Sequence, residues 1–174
     1  NAVTLIGFLI GLTVIPLLWE QFYLHALAVI LMNRFLDGLD GAIARRDGIS
    51  DLGGFLDISC DFIFYSAVVF GFALADPDRN ALAASFLIFS FIGTGSSFLA
   101  YAIMASKREL RSISHGTKGF FYLGGLTEGF ETILFMIVIC LFPGWFVETA
   151  IFFGVLCWLT TLGRFTIAIQ NLTD

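Results

Sequence analysis

Long apolar runs separated by short polar turns make up nearly the whole chain. Six runs approach the length of a bilayer-crossing helix, which needs roughly 20 mostly apolar residues. They cover about 3–19, 24–44, 53–75, 81–106, 119–141 and 145–170. The breaks carry turn chemistry: Trp19-Glu20-Gln21, Arg46-Asp47-Gly48, Asp76-Pro77-Asp78, the stretch from Lys107 to Lys118, and Phe142-Pro143-Gly144. The pattern predicts an all-α polytopic membrane protein, with six transmembrane helices in one bundle and a single domain over 1–174.

Composition agrees with the pattern. The 174 residues are 58% hydrophobic and only 13% charged, whereas soluble domains run about 45–50% apolar and about 25% charged. A water-soluble domain is therefore excluded. The 21 phenylalanines read as lipid-facing and core filling. Cys60, Cys140 and Cys157 lie inside apolar runs at unrelated spacings, so neither a disulfide framework nor a thiolate metal site is expected. The chain starts at Asn1 and enters a hydrophobic run at once. It reads as trimmed, without a cleavable signal bearing a basic n-region.

Basic residues set the expected orientation. Arg45 and Arg46 follow the second run, and Lys107, Arg108, Arg111 and Lys118 follow the fourth, whereas the other side has only Arg79. The positive-inside rule then puts those loops and both termini in the cytoplasm, with Trp19, Tyr23 and Trp145 at the outer interface. Gly7 and Gly11, Gly125 and Gly129, and the Gly93–Ser97 run read as close helix contacts. No nucleic-acid partner is expected.

Four carboxylates break the apolar pattern. Residues three or four apart share a helix face. Asp37, Asp40, Gly41, Ala44 and Arg45 make one stripe, and Gly53, Asp57 and Asp61 make another. The short connection between Arg45 and Gly53 predicts antiparallel neighbours whose acidic stripes face each other at one membrane edge. A carboxylate in a bilayer span is costly and signals function. Hard cations such as Mg²⁺ and Mn²⁺ favour carboxylate and phosphate oxygens, and a pair of them about 4 Å apart clamps a diphosphate for displacement at phosphorus. The small residues on the stripes leave room for a flat ligand. The blander reading pairs Asp37 with Arg34, one turn away. A cation channel or transporter with an acidic ring is the competing function, although all four carboxylates fall at one edge.

The order Asp37-x2-Asp40-Gly41-x2-Ala44-Arg45-x7-Gly53-x3-Asp57-x3-Asp61 resembles the signature of the CDP-alcohol phosphotransferase family, with all eight positions filled. The six-helix layout is also similar, and Asn1-Ala2-Val3-Thr4 resembles the tail of the Pro-Asn-x-x-Thr stretch that opens the first helix in this family. An amphipathic interfacial helix that often precedes it is expected to be missing. The resemblance implies an integral-membrane transferase that displaces CMP from a CDP-linked donor, commonly CDP-diacylglycerol, with an alcohol acceptor in phospholipid biosynthesis. It implies that Asp37, Asp40, Asp57 and Asp61 hold one or two Mg²⁺ or Mn²⁺ ions, with Asp61 also the general base. It implies that Gly41, Ala44, Arg45 and Gly53 line the cytidine nucleotide, together with Asn1 and Thr4. A homodimer is expected on the same grounds, a bacterial inner membrane is expected from the compactness of the chain, and the basic loops put the active site on the cytoplasmic side. A degenerate member serving as a partner subunit is disfavoured by the intact signature.

The acceptor side is less defined. Lys107, Arg108, Arg111 and Lys118, with Glu109 and His115 among them, read either as positive-inside bias against lipid headgroups or as a phosphate-binding wall. Glu128 and Glu131 read either as structural partners of Arg164 or as groups that bond acceptor hydroxyls. Phosphatidylglycerophosphate synthase-like chemistry is the nearest sub-activity. Inositol phosphate, serine and phosphatidylglycerol stay open as acceptors.

Overall fold

A computed structural model describes residues 2–48, 50–107 and 127–172 of the chain. Its regular structure is helical throughout, with no strand among the described residues. The first apolar run forms two helices rather than one, α1 (Ala2–Leu12) and α2 (Val14–Trp19). Thr13 turns its hydroxyl onto the Ile10 carbonyl at 2.6 Å. Pro16 has no N–H to offer the Leu12 carbonyl, so the helical ladder is interrupted here. Next come α3 (Tyr23–Asp47), α4 (Asp51–Ala75) and α5 (Pro77–Lys107). The α3–α4 connection is tight. Gly48 takes a positive φ of 109° that a side chain would disfavour. Ser50 caps α4 by accepting the Gly53 N–H at 3.0 Å. α6 (Gly129–Leu141) opens with the Glu131 carboxylate accepting the Glu128 N–H at 3.0 Å, a capping arrangement. A 3-10 turn at Pro143–Trp145 leads into α7 (Phe146–Leu172).

By length and apolarity, four segments qualify as membrane spans: α1 with α2, α4, α5, and α7 with the turn before it. α6 is apolar but has only 13 described residues. α3 is long enough at 25 residues, but Arg34, Asp37, Asp40, Arg45 and Arg46 lower its apolarity. The expected count of six is not reached among the described residues, which hold four candidate spans and the shorter apolar α6. The residues 119–126 that would extend α6 lie outside the described ones.

The larger core cluster lies toward one end of the bundle, and a smaller one packs Tyr101 and Ala105 of α5 against Ile167, Ala168 and Leu172 of α7. Phe64, Val68, Val69 and Phe72 from the second half of α4 are fully buried with Leu18, Ile30, Leu87, Met136, Ile139 and Phe146. Phe72 stacks on Phe146 at 4.7 Å, and Phe135 on Phe153 at 4.8 Å. Many large apolar side chains face outward instead, Leu82 (85% exposed) and Phe130 (74%) among them. A bilayer solvates such a surface, and water does not. Trp19 and Trp145 lie on turns at this end, where Gln21 donates to the Ala75 carbonyl and Arg79 to that of Gly144.

α3 and α4 make little backbone contact with each other, and the expected antiparallel neighbours meet through side chains instead. α1 packs on both of them, α2 packs on α4, and α6 packs on α3. Glycines permit these approaches. A Cβ on Gly7 would stand 3.3 Å from Leu36 Cβ, and one on Gly71 would stand 2.9 Å from Leu18 Cβ. Leu18 is fully buried and cannot yield, so Gly71→Ala is expected to destabilise the bundle by about 1–3 kcal/mol. A lowered thermal or SDS-unfolding midpoint of the purified protein in detergent checks this. An unchanged midpoint would refute the close α2–α4 contact.

Candidate active site

The four aspartates lie on the halves of α3 and α4 away from the apolar core, and the space between these helices is bridged by side chains. Arg34, one turn before Asp37, crosses from α3. Its Nη2 lies 2.8 Å from Asp61 Oδ1, and its Nη1 donates to the Tyr65 hydroxyl at 3.1 Å. Tyr65 in turn donates to Asp61 Oδ2 at 3.0 Å. Arg34 Nη1 also stands 3.7 Å from Asp37 Oδ2. The guanidinium is fixed from behind by Asn33, whose Oδ1 accepts from Nε at 3.0 Å and from Nη2 at 2.6 Å. Asn33 itself donates to the Gly7 carbonyl of α1 at 2.9 Å. A Cβ on Gly11 would reach within 2.8 Å of that amide nitrogen, so the bare Gly11 backbone is part of the arrangement. Thr4 of α1 donates its hydroxyl to Asp40 Oδ2. The carboxyls of Asp37 and Asp57 are near enough to interact with one another.

Two like carboxylates side by side require a proton or a cation between them. An all-oxygen, all-carboxylate donor set suits a hard divalent ion. Asp37 and Asp57 with Asp40 and Asp61 beside them therefore fit such an ion by their chemistry. Among the described residues, no three His, Cys, Asp or Glu side chains converge on one ligand position. Asp40 accepts from Thr4, and Asp61 accepts from Arg34 and Tyr65.

Two cavities open on the cluster. The first, about 380 Å³, is lined by Asp40, Gly41, Ala44, Arg45, Gly53 and Asp57. Its walls are the α3 and α4 stripes, and the glycines and alanine provide its width. The second, about 390 Å³, runs between α4, α5, α6 and α7. Asp57, Asp61, Tyr65, Thr94, Glu128 and Arg164 supply its polar lining. Arg164 is 7% exposed, donates to the Thr94 carbonyl at 2.8 Å and lies over the Phe98 ring. Its Nε is a buried donor with no partner among the described residues. Asp57 lines both cavities.

The CDP-alcohol phosphatidyltransferase family model matches residues 1–163. The chain belongs to this family. It is 57% identical over 164 residues to the inner membrane protein YnjF of Escherichia coli, covering 94% of this chain and 80% of that protein. It is 31% identical over 166 residues to the archaetidylinositol phosphate synthase of Pyrococcus horikoshii, covering 94% of this chain and 80% of the synthase. Membership makes the chain a transferase of substituted phosphate groups, acting on a CDP-linked donor and an alcohol in lipid synthesis. The family generally depends on a divalent cation. With its apolar helices, the chain is an integral membrane protein.

Most of the sequence-derived residues come together around this site. Asp37, Asp40, Asp57 and Asp61 share one cluster, and Gly41, Ala44, Arg45 and Gly53 share the first cavity. Thr4 reaches Asp40. Glu128 lines the second cavity, whereas Glu131 is engaged in capping α6. Lys107 is exposed at the end of α5, away from both cavity linings. Asn1, Arg108, Arg111 and Lys118 lie outside the described residues. Tyr65 carried no signal in the sequence, because a single hydroxyl on an apolar helix has no period or motif to mark it, and Thr94 was marked only as part of a small-residue helix contact. Arg164 was visible as a charge in an apolar run, but its cavity was not.

Asn33 is 4% exposed and serves three hydrogen bonds at once. Asn33→Ala strands two Arg34 N–H donors and cuts the tie to the Gly7 carbonyl, and is expected to cost about 1–3 kcal/mol. A lowered unfolding midpoint would register the loss. No shift would contradict the buried network.

Proposed function

We propose that the chain transfers the phosphatidyl group of CDP-diacylglycerol to a small alcohol and releases CMP, at the cytoplasmic edge of a bacterial inner membrane. The observation that carries this reading is the pair of cavities that share Asp57. One has the small-residue walls suited to a flat nucleotide, and the other has the polar lining suited to an acceptor. The inner-membrane name of the Escherichia coli relative supports the location, and the basic residues Arg45 and Arg46 support the cytoplasmic face. A homodimer and one catalytic domain spanning the chain complete the proposal on family grounds.

In this reading Gly41, Ala44, Arg45 and Gly53 seat the cytidine end of the donor, and Asn1 and Thr4 approach it from α1. The acceptor occupies the second cavity with its hydroxyl toward Asp61. The hydroxyl oxygen attacks the phosphorus that bears the lipid, and the bond from that phosphorus to the CMP oxygen breaks. CMP leaves with the electron pair, and Asp61 takes the hydroxyl proton. Both Asp61 oxygens already accept one hydrogen bond, but each has a second lone pair. A divalent cation held by Asp37, Asp40, Asp57 and Asp61 would supply charge neutralisation for the diphosphate. Glu128 and Arg164 contact the distant end of the acceptor. Lys107, Arg108, Arg111 and Lys118 would add attraction for an acceptor phosphate. Glu131 supports Glu128 through the α6 cap.

The test is CMP release from CDP-diacylglycerol by the purified protein in detergent, with Mg²⁺ or Mn²⁺. The acceptor panel is glycerol 3-phosphate, inositol phosphate, inositol, serine and phosphatidylglycerol. The synthase relative is the reason for including inositol phosphate. Acceptor-dependent release is expected, and Asp61→Asn lowers it by roughly 10²–10⁴-fold. Ala44→Trp is expected to fill the first cavity and weaken CDP binding by about tenfold or more, with α-helical content retained. Absence of CDP binding by the wild-type protein would sink the proposal.

A further inference from the structure

We infer that Arg34 is the resident cation of the acidic cluster and the positioning residue for Asp61. The inference rests on reading the cluster as the catalytic centre. It goes further by giving a role to a residue outside the eight signature positions.

The first observation is a closed ring of contacts around the Asp61 carboxylate. Arg34 Nη2 takes Oδ1 at 2.8 Å, Tyr65 takes Oδ2 at 3.0 Å, and Arg34 Nη1 joins the ring by donating to the Tyr65 oxygen at 3.1 Å. Both carboxylate oxygens are therefore held, and the plane of the group cannot turn without breaking a bond to one or the other. Only a planar, forked cation makes these contacts together, and a lysine ammonium lacks the second arm. The lone pairs left over on Asp61 belong to a side chain that lines the second cavity.

The second observation is that Arg34 is itself anchored. Its side chain is 12% exposed. Two of its nitrogens donate to Asn33 Oδ1, Asn33 is tied to the Gly7 carbonyl, and the guanidinium lies 5.1 Å from the Phe64 ring centre. Geometry set by α1 and by the core edge is thus passed to Asp61 through one side chain. A helix tether with no other role would not need to reach a carboxylate that lines a cavity.

The third observation concerns charge. Arg34 stands against Asp61 and, at 3.7 Å, Asp37. The protein thereby answers part of the cluster's negative charge itself. Among the described residues, Asp57 has no ion pair with Arg34, and Asp37 has only the longer one, so their carboxylates remain for an external cation. A fixed positive charge at one side of the cluster repels a divalent ion from that side. Arg34 thus makes metal binding weaker than four bare carboxylates would, in exchange for a fixed Asp61.

The two roles separate experimentally. Mn²⁺ binding to the full chain in detergent is read by electron paramagnetic resonance. Turnover is read by CMP release from CDP-diacylglycerol. Arg34→Gln is expected to tighten Mn²⁺ binding by about tenfold. It is also expected to lower kcat by about 100-fold while the KM for donor stays within about threefold. Arg34→Lys keeps the charge and loses the fork, so it is expected to restore wild-type Mn²⁺ affinity but not kcat. Tyr65→Phe leaves the charge untouched, so it is expected to keep Mn²⁺ affinity and lose turnover. These last two variants carry the test if Arg34→Gln does not fold. Unchanged Mn²⁺ affinity in Arg34→Gln, looser Mn²⁺ binding in Arg34→Lys, or full kcat in Arg34→Lys or Tyr65→Phe would overturn the inference. If the wild-type protein releases no CMP with any acceptor, phosphatidyl transfer fails as a reading, and the Mn²⁺ titrations still decide the role of Arg34.

Discussion

Four carboxylates in largely apolar helices need compensating donors and positive charge, and the active-site half of the molecule is organised around that need. Charge is costly to remove from water, and a low-dielectric setting punishes any group left without a partner. Each aspartate accordingly has a distinct answer. Asp61 has a guanidinium and a phenol, Asp40 has a hydroxyl from α1, Asp37 has the Arg34 guanidinium at 3.7 Å, and Asp57 beside it is left for an external cation. The supporting residues reach back into the packing. Gly7 and Gly11 let α1 approach closely enough for Asn33 to hold Arg34.

The same need accounts for the division of the bundle into two ends. The second half of α4 is packed with Phe64, Val68, Val69 and Phe72 against α2 and α7. Its first half carries Gly53, Asp57 and Asp61 and borders two cavities. The apolar end provides the rigidity that a catalytic cluster requires of its scaffold. Small residues at the open end leave backbone accessible in the first cavity, and the two cavities meet at Asp57. In the proposed function, that meeting lets donor and acceptor approach one phosphorus from two directions, as an in-line displacement needs.

Much of this was legible in the residues. Apolar run length marked the helices, and the breaks fell at turn-forming residues, because a bilayer-crossing segment has few alternatives to helix. Helical spacing put Gly41, Ala44 and Arg45 on one stripe with Asp37 and Asp40, and the structure lines the first cavity with most of that stripe. Other features were not legible. The interruption at Thr13 depends on a single proline in an otherwise uniform apolar run. The separation of α3 from α4 depends on α1 packing against both, a contact between segments distant in the sequence. Glu128 and Glu131 look equivalent one turn apart, yet one lines a cavity and the other caps α6.

The sequence by itself determined the class of the protein, its helical character and the spacing of the carboxylates along α3 and α4, because hydropathy, helical period and motif spacing are local properties. Tertiary structure decided which cation answers which carboxylate, where the two cavities lie, and that they meet at Asp57. Those outcomes depend on the three-dimensional approach of α1, α3, α4, α6 and α7. Close approach is set by which glycines face which side chains, a relation that no linear pattern encodes.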